Sequence, residues 1–99
     1  MRKRLDPEDR KASILEAAVK VAQSEGFHNL TRDGVARAAR VSPGLVTRYF
    51  YAVSELRRAV MTVAVERRLL PLVAQGIVMR HAVALEAPEE VRQQALVSL

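Results

Sequence analysis

Helix punctuation constrains this chain more than any other feature. Asp6-Pro7, Thr31, Ser42-Pro43 and Pro88-Glu89-Glu90 each pair a capping or ring-fixed residue with a following run that favours helix. Gly26 and Pro71 are the stops. Between these marks no segment alternates apolar and polar residues as a half-buried strand would. Alanine, leucine, arginine and glutamate, all strong helix formers, fill the intervals. The expected fold class is therefore all-α.

The first helix starts at Pro7 behind Asp6, with Glu8 and Asp9 favouring the positive end of its dipole. Ile14, Ala18, Val21 and Ala22 recur at helical spacing, with Leu15 beside them, and Phe27 and Leu30 follow as core anchors. A short second helix opens at Thr31 and buries Val35, Ala36 and Ala39. A third opens at Ser42 and runs to about Phe50, with Val41, Val46 and Phe50 facing inward. A longer fourth helix is expected over 53–69, striped by Leu56, Val60, Val63 and Ala64. A fifth, apolar on much of its circumference, is expected over 71–86, and a short last helix follows Pro88. The architecture predicted is a three-helix bundle with a helix-turn-helix, then a long fourth helix and two short dimerising helices.

Charge is unevenly distributed. Residues 1–50 hold ten basic and six acidic side chains, a net +4; residues 51–99 hold six and five, a net +1. A basic first half on a near-neutral second half suits a polyanionic partner. There is no cysteine, which removes disulfides, thiolate metal sites and cysteine nucleophiles. His28 and His81 have no partner ligands in view, so neither a metal nor a cofactor is expected. The serines lack a His-carboxylate pairing, and no enzymatic activity is expected. The charged opening MRKRLDPEDRK has no apolar run behind it, which argues against a signal peptide. No apolar window is long enough for a membrane span. A cytoplasmic protein is expected, nucleoid-associated when bound to its polyanionic partner.

Two short helices across a tight turn, the second presenting Thr47, Arg48 and Tyr49, describe a helix-turn-helix. The small residues Ser42, Pro43 and Gly44 let the backbone come close to DNA. Thr31 and Ser42 place helix N-termini where phosphates bind. Arg48 suits a phosphate or a guanine edge, Leu45 a thymine methyl, and Tyr49 a phosphate and its sugar.

The stretch ILEAAVKVAQSEGFHNLTRDGVARAARVSPGLVTRYF resembles the DNA-binding domain of the TetR family of transcriptional repressors. The matching features are Ile14-Leu15, Ala17-Ala18, Gly26-Phe27, Leu30-Thr31, Val35-Ala36, Val41-Ser42, Gly44, Tyr49-Phe50 and Leu56, in register over about 45 residues. The resemblance implies that Thr31 and Arg32 meet backbone phosphates. It implies that Ser42, Pro43, Gly44, Leu45, Thr47, Arg48 and Tyr49 form the surface facing the groove. Three positions depart from the family pattern. Arg40 stands where the turn usually has Gly, Thr47 where a Tyr is usual, and Val53 where a phosphate-binding Lys is common. Arg40, Arg48 or an N-terminal arm of Arg2, Lys3 and Arg4 would replace that charge.

Members of this family usually carry a large ligand-binding and dimerising domain after this one, whereas about 30 residues follow the fourth helix here. Residues 1–52 are read as the DNA-binding domain and 53–99 as a connecting helix and dimerisation region without a ligand domain. Leu69, Leu72, Val73, Ile77, Val78, Leu85 and Leu96 are the expected dimer contacts. Two short helices should not enclose a pocket of several hundred cubic ångströms, so no small-molecule inducer is expected. The expected partners are a palindromic double-stranded operator and a second copy of the chain. The function expected is promoter-blocking repression, autoregulatory and borne on a plasmid or phage. The alternatives are an antirepressor that forms mixed dimers, a nonspecific nucleoid-type DNA binder, and a fragment of a ligand-responsive regulator.

Overall fold

The computed structural model describes residues 6–99, which are helical with no strand among them. The Arg2, Lys3 and Arg4 arm lies outside the described residues. The helices are α1 (Pro7–Glu25), α2 (Arg32–Ala39), α3 (Pro43–Tyr49), α4 (Val53–Glu66), α5 (Leu70–Val78), α6 (Ala82–Leu85) and α7 (Glu89–Val97), with one 3-10 turn at Phe27–Asn29.

The N-termini of α1, α2 and α3 form as their local chemistry dictates. Asp6 is extended, and its Oδ1 accepts the Asp9 N–H at 2.9 Å. Thr31 Oγ1 accepts the Gly34 N–H at 3.0 Å, and Ser42 Oγ accepts the Leu45 N–H at 3.2 Å. Each satisfies one donor that the first helical turn leaves open.

The C-termini of α2, α4 and α5 share a device that glycine usually serves. Arg40, Arg68 and Arg80 adopt left-handed backbone conformations, with φ of 60°, 55° and 58°. After each, the next N–H reaches back into the helix. Val41 donates to the Ala36 carbonyl at 3.0 Å, Leu69 to Ala64 at 2.8 Å, and His81 to Gly76 at 2.8 Å. These are Schellman endings, and a side chain at the left-handed position costs about 1 kcal/mol in each. The turn at Arg40 thus keeps the backbone shape expected of glycine.

Two predicted boundaries move for the same reason. The fourth helix stops at Glu66 because Arg68 turns left-handed. The expected helix over 71–86 is two helices, broken at Arg80 and reopened by His81, whose Nδ1 accepts the Val83 N–H at 3.2 Å.

α1 packs against α2 and α4, α2 against α3, and α5 lies among α4, α6 and α7. One core runs from Ile14 through Phe27, Leu30, Val35, Val46, Leu56, Val60, Met61 and Leu72 to Ala95. Residues 6–52 and 53–99 share this core, since α4 lies against α1. Arg67 and Glu16 tie the same two helices at the surface, and the Arg67 guanidinium holds the Glu16 carboxyl below its usual range by hydrogen bonding.

The dimer contacts need correction. Leu72 and Val73 are fully buried in the protomer core, because α5 is enclosed by three neighbouring helices. Leu69 and Ile77 are half-buried against that core. Val78, Leu85 and Leu96 are exposed, and Met79, Val97 and Leu99 join them.

Candidate nucleic-acid interface

α2, the turn at Arg40 and α3 carry four arginines and one aspartate over residues 31–50. All four, Arg32, Arg37, Arg40 and Arg48, are exposed. Arg32 Nε lies 3.4 Å from Asp33 Oδ1, while Arg48 pairs with no carboxylate among the described residues. An exposed guanidinium on a short helix is free to take a phosphate oxygen or a guanine edge.

α3 is anchored from beneath by Val46 and Phe50, both buried. That leaves Ser42, Pro43, Gly44 and Arg48 on the open surface. Thr47 is half-buried, and its hydroxyl donates to the Pro43 carbonyl at 3.2 Å, leaving the oxygen lone pairs available. Tyr49 is half-buried against the core and lines an open groove with Lys11 and Leu15. Leu45, which the resemblance places on the surface facing the groove, is half-buried and packs on the core. Thr31 and Arg32 lie at the exposed N-terminus of α2.

Several contributors had no signal in the spacing. Lys11 Nζ sits 5.2 Å from the centre of the Phe50 ring, joining the start of α1 to the end of α3. Arg37 adds an exposed cation on α2. Tyr51 is 83% exposed in the turn before α4, and its N–H donates to Glu55 Oε2 at 3.0 Å. Val53, at the usual lysine position, is exposed at the start of α4. The segment before Thr31 is held from the far half of the chain. Gln75 Oε1 accepts the Phe27 N–H at 2.6 Å, and Arg57 Nη2 donates to the Leu30 carbonyl at 3.3 Å.

Among the described residues, no group of three or more His, Asp or Glu side chains is gathered to hold a metal ion. No described helix is long and apolar enough to cross a membrane. A half-open groove of about 450 Å³ lies along α5, with Gln23, Arg68, Leu69, Pro71 and Gln75 in its walls. Space of small-molecule size therefore exists here, though not as an enclosed pocket.

Comparison with curated proteins and with solved structures returned no match. Residues 14–60 match the family model of bacterial regulatory proteins, tetR family. The matched span covers α2, the turn and α3, and ends inside α4. Residues 14–60 of this chain are a DNA-binding domain of the TetR family.

Proposed function

We propose that this TetR-type DNA-binding regulator is a repressor that binds a palindromic operator as a homodimer and blocks the promoter it overlaps. The observation that carries the reading is the capped pair α2 and α3, which presents Arg32, Arg40 and Arg48 on one short, exposed unit. Thr31, Arg32 and Arg40 meet phosphates. Ser42, Pro43, Gly44, Thr47, Arg48 and Tyr49 approach the major groove, with Leu45 behind them. Without an inducer, occupancy follows protein concentration, which suits autoregulation on a plasmid or phage. The groove along α5 is open to solvent rather than enclosed, in keeping with that reading.

The second copy docks on the exposed Val78, Leu85 and Leu96 together with Met79 and Val97. The same exposed apolar residues favour a second reading, in which the chain pairs with a longer relative as an antirepressor.

The test is a titration of purified protein against duplex DNA from upstream of its own reading frame, in physiological salt with excess random competitor. Nanomolar binding that survives the competitor supports the repressor. Binding that vanishes into the competitor supports a nonspecific binder and overturns the autoregulatory reading. Light scattering of Val78→Asp, set beside the parent protein, reads the interface. A parent that runs as a monomer overturns the homodimer, and a variant that remains dimeric overturns this surface.

A further inference from the structure

α1 ends unlike α2, α4 and α5. Gly26 has φ 99° and ψ 143°, away from the left-handed Schellman geometry of Arg40, Arg68 and Arg80. The Gly26 N–H still reaches the Ala22 carbonyl at 2.9 Å, but the next N–H, that of Phe27, does not return to the helix. Phe27 is fully buried, so an unmet N–H here would be costly. Gln75, 48 residues further on and in α5, supplies the missing acceptor at 2.6 Å.

The contact is not isolated. The Phe27 ring meets the His81 ring edge-on, with centroids 5.5 Å apart. Arg57 of α4 donates to the Leu30 carbonyl. Three side chains from the C-terminal helices thus grip the four residues that precede Thr31, the N-cap of α2. The turn they hold leads directly into α2, which the tight turn at Arg40 joins to α3.

We propose that Gln75 is a positioning residue for DNA binding: its side-chain oxygen fixes the Phe27–Leu30 turn and so orients Thr31, Arg32 and the helix-turn-helix. The role rests on the DNA-binding reading of α2 and α3. It gives the C-terminal helices a task in DNA recognition besides pairing. Gln75 is half-buried and also lines the half-open groove.

The test compares the parent protein with Gln75→Leu, which removes the acceptor, and Gln75→Glu, which keeps it. Three readouts are taken on the full chain at low temperature: the Phe27 amide proton shift and exchange rate, urea stability, and affinity for a fluorescent random-sequence duplex in low salt. The parent should show a downfield, slowly exchanging Phe27 amide. Gln75→Leu should lose that signature, speed exchange over Thr31–Val35, and bind the duplex roughly tenfold more weakly at a temperature where it is fully folded. Gln75→Glu should restore both signature and affinity. If Gln75→Leu does not fold, Gln75→Asn, which retracts the amide by one methylene, carries the same comparison. Unchanged affinity in a folded variant without the signature overturns the positioning role and leaves DNA binding intact. A parent that binds no duplex overturns the DNA-binding reading and the role with it.

Discussion

A Cβ placed on Gly76 would lie 2.7 Å from the Cβ of Ala84. The same atom would sit 2.6 Å from Met61 Cε. At Gly76, α5 lies close against Met61 of α4 and Ala84 of α6, and the Gly76 carbonyl accepts the His81 N–H that ends α5. The Met61 tip is the end of a flexible side chain, though a fully buried one, and the Ala84 Cβ is fixed to its helix. Gly76→Ala should therefore lower stability by about 1–3 kcal/mol, despite alanine's better helix propensity. Urea unfolding measures it, and a neutral or stabilising result would show that α6 shifts freely on α5.

The three left-handed arginines allow stability and DNA affinity to be separated. Arg68→Gly and Arg80→Gly should each gain about 1 kcal/mol by relieving the side-chain clash of that backbone region. Arg68 also gives up a surface contact with Glu90 at 3.3 Å, worth little in water. Arg40→Gly should gain a similar amount in stability while weakening DNA binding, since Arg40 lies in the turn between α2 and α3. A variant that gains stability and keeps full affinity would show that Arg40 gives nothing to DNA.

What was legible in the sequence was local. Asp6, Thr31 and Ser42 cap their helices as side-chain chemistry requires, and Phe27, Leu30, Val46 and Leu56 are buried as their spacing implied. The features missed are long-range, or hide behind uniform apolar character. α5 is apolar on most sides, so periodicity cannot tell the face carrying Leu72 and Val73, which meets its own neighbours, from the face carrying Val78, which meets solvent. The break at Arg80 has neither glycine nor proline to announce it. The Gln75 contact with Phe27 spans 48 residues, and no spacing rule reaches that far. The outward face of α3 was read from residue type and family resemblance, while its depth against the core was not, as the half-buried Leu45 shows.

The start of α4 is under-capped. Ala52 is extended, as an N-cap residue should be, yet it has no side chain to accept a helix N–H. Glu55 reaches back instead to the Tyr51 N–H. Ala52→Ser would place Ser-Val-Ser-Glu at 52–55, the spacing of a capping box, and should add about 1 kcal/mol. Thermal unfolding checks it; no gain would mean that water already serves those donors as well.

His81 should make stability fall in mild acid. Burial pushes its pKa down, with Arg58 and Arg57 adding repulsion, and its Nδ1 is engaged as an acceptor from Val83. The unfolded chain therefore takes up a proton first. Stability is full above the ordinary value of 6.5 and is lost as pH falls below it, until the folded form also protonates. One proton limits the slope to about 1.4 kcal/mol per pH unit. Stability measured between pH 8 and pH 5.5 should fall less in His81→Asn, which retains a cap acceptor but does not titrate. Equal slopes would assign the acid sensitivity to the carboxylates.

Arg48 decides between base reading and backbone contact. It is exposed on α3, and the buried Val46 and Phe50 hold the helix in place without it. Arg48→Ala should thus leave unfolding within about 0.5 kcal/mol of the parent. Operator affinity should fall by about 1–3 kcal/mol. If the side chain reads a guanine, the loss is confined to sequences carrying that base, and random DNA binds as before. If it meets a phosphate, affinity falls on all sequences alike, and the slope of log affinity against log salt shrinks by about 1. Competition between operator and random duplexes across two salt concentrations separates these outcomes. No change on either duplex would remove Arg48 from the interface and shift the burden of recognition to Thr47 and the backbone of the first turn of α3.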